Sequence, residues 1–156
     1  MHRYTEERPH PIISWGCILY YWVFFGRVMK HVLAPRYRPW HPLNLLVALI
    51  LGLLFMLCEA LNFKCHLITR ALRRPGTNER GIPEGYGFGL VIMANYMWEG
   101  FAWTVFIPLA QTYGAVFFSL AAWAAMYYRG CEKYDKYMDH APQYAIGKKI
   151  LIPFIL

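Results

Sequence analysis

Asn62, His66, Arg70 and Arg73 follow one another at steps of four, four and three, where a long apolar run gives way to charge. On a continuing helix those steps make one polar stripe, with Leu61, Cys65, Ile68 and Leu72 on another face. A plain amphipathic helix leaving a membrane would show the same spacing. Asn62 weighs toward a site, because an amide that follows directly on a hydrophobic run needs a partner inside the protein or in a ligand. A second ridge lies in "ANYMWEGFAW", where Asn95, Glu99 and Trp103 are spaced by four and Tyr96 stands three before Glu99. A carboxylate among Phe, Trp and Val has to pair, accept hydrogen bonds or take up a proton. Pairing with Arg70 or Arg73 across two helices is the structural alternative to ligand binding. Between the ridges, "RRPGTNERGIPEGYGFG" sets Arg73, Arg74 and Arg80 among five glycines.

The elements that must position these residues are membrane helices. Hydrophobic residues fill 58% of the 156 positions and charged residues only 16%, too little charge to clothe a soluble domain of this size. The twelve tyrosines and six tryptophans suit interfacial belts. Apolar runs at 12–33, 43–63, 90–107 and 113–128 predict about four spans, the last two also readable as a re-entrant hairpin. Arg27 and Lys30, near the end of the first run, must snorkel or face a partner. Pro35, Pro39 and Pro42 mark the first loop. Lys64, Arg70, Arg73, Arg74 and Arg80, and then Arg129, Lys133, Lys136, Lys148 and Lys149 in the tail, outnumber Arg36 and Arg38 in the loop 34–42. That asymmetry puts both rich segments and Met1 in the cytosol and demands an even number of crossings between them. The expected fold is an all-α, multi-pass membrane helix bundle with a cytosolic cofactor cleft, one domain over residues 1–156.

The net charge of +7 falls in loops rather than along one periodic face, which favours phospholipid head groups or an anionic cofactor over nucleic acid. Cys17, Cys58, Cys65 and Cys131 lack metal-ligand spacing and read as packing residues. The six histidines include no i,i+4 pair, which disfavours a di-iron oxygenase. "GYGFG" lacks the preceding strand and the acidic residue of a Rossmann turn, and no GxSxG nucleophile is present.

The stretch "LNFKCHLITRALRRPGTNERGIPEGYGFGLVIMANYMWEGFAW", the Tyr-rich basic tail and the closing "LIPFIL" resemble the C-terminal catalytic half of the steroid 5α-reductase superfamily. Within it they look most like the very-long-chain trans-2-enoyl-CoA reductases of fatty acid elongation, and "HRYTEERPHPI" is similar to the start of that family's membrane region. The resemblance implies an endoplasmic reticulum enzyme, both termini cytosolic, that reduces a double bond conjugated to a carbonyl with NADPH as hydride donor. It implies an acyl-CoA substrate, surrounding membrane lipids, and other fatty acid elongation enzymes as partners. Position by position, it implies that Asn62, His66, Arg70, Arg73, Asn95, Glu99 and Tyr137 contact or organise NADPH. Tyr96 matches the active-site tyrosine, the acid that protonates the α-carbon after hydride reaches the β-carbon. The bridge would bring arginines to the cofactor phosphates and glycines that let irregular backbone fold over it.

The tail departs from the pattern. Tyr134 stands where the family usually has histidine, and its "YP..R" becomes Tyr144, Ala145 and Lys148, a positive charge without the guanidinium fork. A sterol or steroid double-bond reductase shares the cofactor half. A noncatalytic membrane protein of the elongase complex would need neither the cofactor contacts nor Tyr96, and the "RHPxY" signature of related methyltransferases is absent. The family's upstream membrane segments are not in residues 1–156, so this stretch alone is expected to bind NADPH weakly and to reduce enoyl-CoA poorly.

Overall fold

The computed structural model describes residues 3–5, 11–73, 76 and 79–155. Arg74 and the side chain of Arg80 lie outside that description. Four long helices carry the fold: α1 (Pro11–Val32), α2 (Leu45–Ala71), α3 (Ala94–Ala110) and α4 (Tyr113–His140), followed by one turn, α5 (Pro142–Ala145). The chain is mostly helical, as expected, with one addition. Two short strands, β1 (Arg3–Thr5) and β2 (Glu79–Gly81), pair antiparallel with Arg3 opposite Gly81, because extended backbone has to satisfy its own N–H and C=O groups.

α2 starts at Asn44, whose side chain accepts the Val47 N–H at 2.8 Å. Its first half turns Leu45, Leu46, Leu49 and Leu53 outward, and only 6% of its most apolar eighteen residues are buried. Leucines so exposed on a helix of mean hydropathy 2.4 belong against hydrocarbon. Among the described residues this is the one helix both long and apolar enough to cross a membrane. Its 27 residues extend about 40 Å, more than a hydrocarbon core of ~30 Å, so the polar end near His66 and Arg70 reaches past the apolar slab.

The helices meet at two ends. At one, the loop after α1 is pinned to the α3–α4 turn: the Tyr37 hydroxyl donates to Ala110 O at 2.7 Å, and the His41 N–H donates to Gln111 Oε1 at 2.7 Å. At the other, the end of α2, the start of α3 and the second half of α4 come together with the tail. Between the ends an aromatic layer fills the bundle, with Trp103 of α3 edge-on to Phe118 of α4 at 4.7 Å and to Phe25 of α1 at 5.6 Å.

Two boundaries differ from the sequence expectation. α3 begins at Ala94 rather than near residue 90, because Gly85, Tyr86 and Gly87 take positive φ and keep that stretch irregular. α4 runs twelve residues past Tyr128 to His140, placing Arg129, Lys133 and Tyr137 on a helix rather than in a loose tail. Pro108 falls inside α3 instead of ending it; the helix stops soon after at Gln111, in the left-handed region at φ 45°.

α3 and α4 approach closely at Gly100, where the Trp123 indole fills the space a Cβ would need. Trp123 Nε1 donates to Thr104 Oγ1 at 3.1 Å, and that hydroxyl donates to Gly100 O at 2.9 Å, so the indole cannot easily give way. Gly100→Ala is therefore expected to destabilise the chain by about 1–3 kcal/mol. In a Trp123→Ala background the same substitution should be nearly neutral, which a double-mutant cycle on unfolding in detergent measures.

Candidate functional site

The segment from Ile82 to Met93 joins β2 to α3 without regular structure, yet Phe88, Val91 and Ile92 within it are almost fully buried. Backbone buried in this way must find partners. The Tyr86 carbonyl accepts the Trp98 indole N–H at 2.8 Å and lies 3.5 Å from Cys65 Sγ. The Phe88 carbonyl accepts the Lys148 ammonium at 2.7 Å. The N–H groups of Ile92 and Met93 donate to Lys149 O and Ile150 O at 2.8 and 3.1 Å. Cys65, Phe88, Val91, Ala94 and Met97 form the apolar cluster behind the segment.

In front of it opens a cleft of about 200 Å³. α2 contributes His66 and Thr69, with Arg73 just beyond its end; α3 contributes Asn95 and Tyr96; α4 contributes Lys133 and Tyr137; Phe88 and Ile92 form part of the wall. His66 and Arg73 are exposed at the mouth, Tyr96 is half-buried, and Asn95 and Tyr137 are buried. Five of the eight residues singled out from sequence, His66, Arg73, Asn95, Tyr96 and Tyr137, thus border one cavity.

The other three lie elsewhere. Arg70 is exposed on α2 outside the cleft lining, for a reason the helix supplies. With 3.6 residues per turn, His66 and Thr69 straddle the direction of Asn62 at about +40° and −20°, whereas Arg70 swings to about +80°. The polar stripe is narrower than steps of four and three suggest, and Thr69 belongs to it. Asn62 sits one turn deeper than His66 and is buried; its Oδ1 has no hydrogen-bond partner among the described residues. Glu99 is half-buried one turn below Tyr96 and within electrostatic reach of Glu59 on α2 and Arg129 on α4. Arg129 thus takes the part expected of Arg70 or Arg73, because α4 runs antiparallel to α3 and brings Lys133 level with Tyr96 and Arg129 level with Glu99.

Lys133, four residues before Tyr137 and on the same face of α4, holds its ammonium 5.6 Å from the Tyr137 ring centroid. That spacing was readable in the sequence. Tyr134 packs with Ile92, Tyr137 and Ala145. Lys148 sits behind the cleft wall rather than in the cleft. Its ammonium lies 3.4 Å from the Tyr144 ring centroid while bonding Phe88 O. Burial pulls the Lys148 amine below its usual range, with Glu84 acting in the opposite sense. Burial also pushes the Tyr144 hydroxyl well up, helped by Tyr137 and Glu84.

Residues 8–156 match the family described as 3-oxo-5-alpha-steroid 4-dehydrogenase. A Schizosaccharomyces pombe protein that carries the name of an enoyl reductase is 37% identical over 125 residues, 77% of this chain and 42% of that protein. The very-long-chain enoyl-CoA reductase of Dictyostelium discoideum is 35% identical over 139 residues, 88% of this chain and 45% of its own. The 3-oxo-5-alpha-steroid 4-dehydrogenase 1 of Mus musculus is 32% identical over 103 residues, 66% of this chain and 40% of its own. The chain spans less than half of each of these relatives.

A buried carbonyl oxygen without a donor costs about 1–3 kcal/mol. Asn62→Leu, close to isosteric, should therefore raise the unfolding free energy of the ligand-free chain by an amount in that range. Chemical unfolding in detergent measures it, and a fall in stability instead would mean that the amide is already satisfied.

Proposed function

Because the chain belongs to the steroid 5α-reductase family, described as 3-oxo-5-alpha-steroid 4-dehydrogenase, we propose that the cleft binds NADPH and that the protein reduces the 2,3 double bond of a trans-2-enoyl-CoA. The observation that carries this reading is the meeting of Arg73, Asn95, Tyr96 and Tyr137 around one cavity, with the unsatisfied amide oxygen of Asn62 one turn below. Two cationic side chains, Arg73 and Lys133, line the cleft and suit phosphates; Asn95 and the two phenols offer hydrogen bonds inside. The cleft's 200 Å³ would take one part of a dinucleotide, and His66 and Arg73 would hold the remainder. When bound, the reduced nicotinamide supplies a hydride.

The protein's own residues then have distinct tasks. Arg73 and Lys133 hold negative charge at the mouth. Tyr96 presents its hydroxyl at the cleft surface, within reach of the α-carbon of the enolate that would form once the β-carbon has been reduced. Glu99, set deeper between Glu59 and Arg129, organises the floor under Tyr96 rather than reaching the mouth. Irregular backbone beside a membrane is tolerated where it lines a cavity, and 82–93 does so. We place the protein in the endoplasmic reticulum membrane, crossing it with α1 to α4 and with both termini cytosolic, among the enzymes of fatty acid elongation.

The test is NADPH consumption with trans-2-hexadecenoyl-CoA, run beside a 3-keto-4-ene steroid, by the detergent-solubilised chain co-expressed with the upstream membrane segments of a related reductase. Turnover of the steroid alone would move the assignment to the steroid branch. Tyr96→Phe is expected to abolish reduction while leaving NADPH binding within about threefold, and an active Phe variant would remove Tyr96 from the mechanism. Arg73→Ala should weaken NADPH by about ten- to a hundredfold and NADH less, with Arg70→Ala, outside the cleft lining, close to wild type. Equal losses for both cofactors would assign Arg73 to the shared pyrophosphate.

A further inference from the structure

We propose that the cavity at the opposite end of α2 is a binding site for the head group of an anionic phospholipid. It encloses about 400 Å³ between the last turns of α1, the loop 34–42 and the α3–α4 turn. Its walls are fixed by bonds between residues some seventy positions apart: Tyr37 to Ala110 O, and His41 N–H to Gln111 Oε1, both 2.7 Å. Gln111 holds the turn with a left-handed backbone, and the Trp40 ring lies 4.9 Å from that of Tyr113.

Three basic side chains, Arg27, His31 and Arg38, line this cavity, and among the described residues no carboxylate does. Arg38 donates one N–H to Tyr37 O at 3.1 Å, which uses one of its five donors. Arg27 is the charge that the apolar run of α1 leaves unexplained, and a phosphate at this depth would be its partner. Beside the arginines Tyr113 is largely exposed and Trp40 partly so, the composition of a membrane interface. Leu33, just past α1, and Leu45 and Leu46, at the start of α2, are exposed at the same end and offer a surface for acyl chains. The basic groups sit beside Trp40 and Tyr113 at the end of the apolar helix α2, the depth at which lipid head groups lie, so the occupant is a lipid. The inference rests on α2 lying in a membrane and is independent of the cofactor cleft, which sits at the far end of that helix.

The experiment follows the thermal unfolding midpoint of the full chain in an uncharged detergent. It is titrated with dioctanoyl phosphatidic acid, with dioctanoyl phosphatidylcholine and with inorganic phosphate. Phosphatidic acid is expected to raise the midpoint saturably, as a ligand of the folded state must. Arg27→Gln and Arg38→Gln should each weaken that response about tenfold. Arg36→Gln, exposed on the same loop but outside the cavity, should leave it unchanged. Arg27→Lys, which keeps the charge and the apolar stem, should retain saturable binding, separating loss of charge from misfolding. An equal response to phosphatidylcholine, a response to inorganic phosphate at the same concentrations as the lipid, or wild-type affinity in both Gln variants would overturn the assignment.

Discussion

Buried backbone that belongs to no helix or strand governs this structure. Residues 82–93 carry Phe88, Val91 and Ile92 into the space between α2, α3 and the tail, where their surroundings shut out water, while 84–86 and 89–90 stay exposed. The protein answers with partners from every neighbour: Cys65 from α2, Trp98 from α3, and from the tail the Lys148 ammonium and the backbone carbonyls of Lys149 and Ile150. Each bond fixes an element as well as satisfying a carbonyl or an N–H. The cleft is the space left on the other side of the segment, so its shape depends on the same bonds.

That dependence explains the tail. Lys148 does not reach the cleft, yet it stands against the Tyr144 ring and holds the carbonyl of Phe88, a wall residue. A guanidinium fork is not needed for a single carbonyl, which gives a lysine at this position a structural task of its own. Gly130 allows the same closure from α4, since Ile150 occupies the space where its Cβ would stand.

Much of this was legible in the sequence. The apolar run that became α2 and the helical spacing of Asn62, His66 and Arg73 follow from period alone, whereas Thr69 was not singled out. So does the adjacency of Asn95 and Tyr96 at the start of α3. Less legible were features set by contacts between elements. The swing of Arg70 away from the cleft needs the drift of the stripe to be counted in degrees. The exchange of Arg70 for Arg129 beside Glu99 needs the antiparallel register of α3 and α4, which no local pattern carries. The β1–β2 ribbon joins residues more than seventy positions apart through backbone groups that every sequence possesses. Gly100 gives no hint in sequence that Trp123 lies against it.

The central claim is that the cleft between α2, α3 and α4 receives a reduced dinucleotide while the far end of the bundle does not. Amide hydrogen exchange of the full chain in detergent, with and without saturating NADPH, tests it most directly. The account predicts slowed exchange in 82–93, at the end of α2 around 66–73 and in α4 around 133–137. Exchange in 34–42 and 111–114 should be unchanged. Protection confined to 34–42 and 111–114, or no protection anywhere at saturating NADPH, would contradict it.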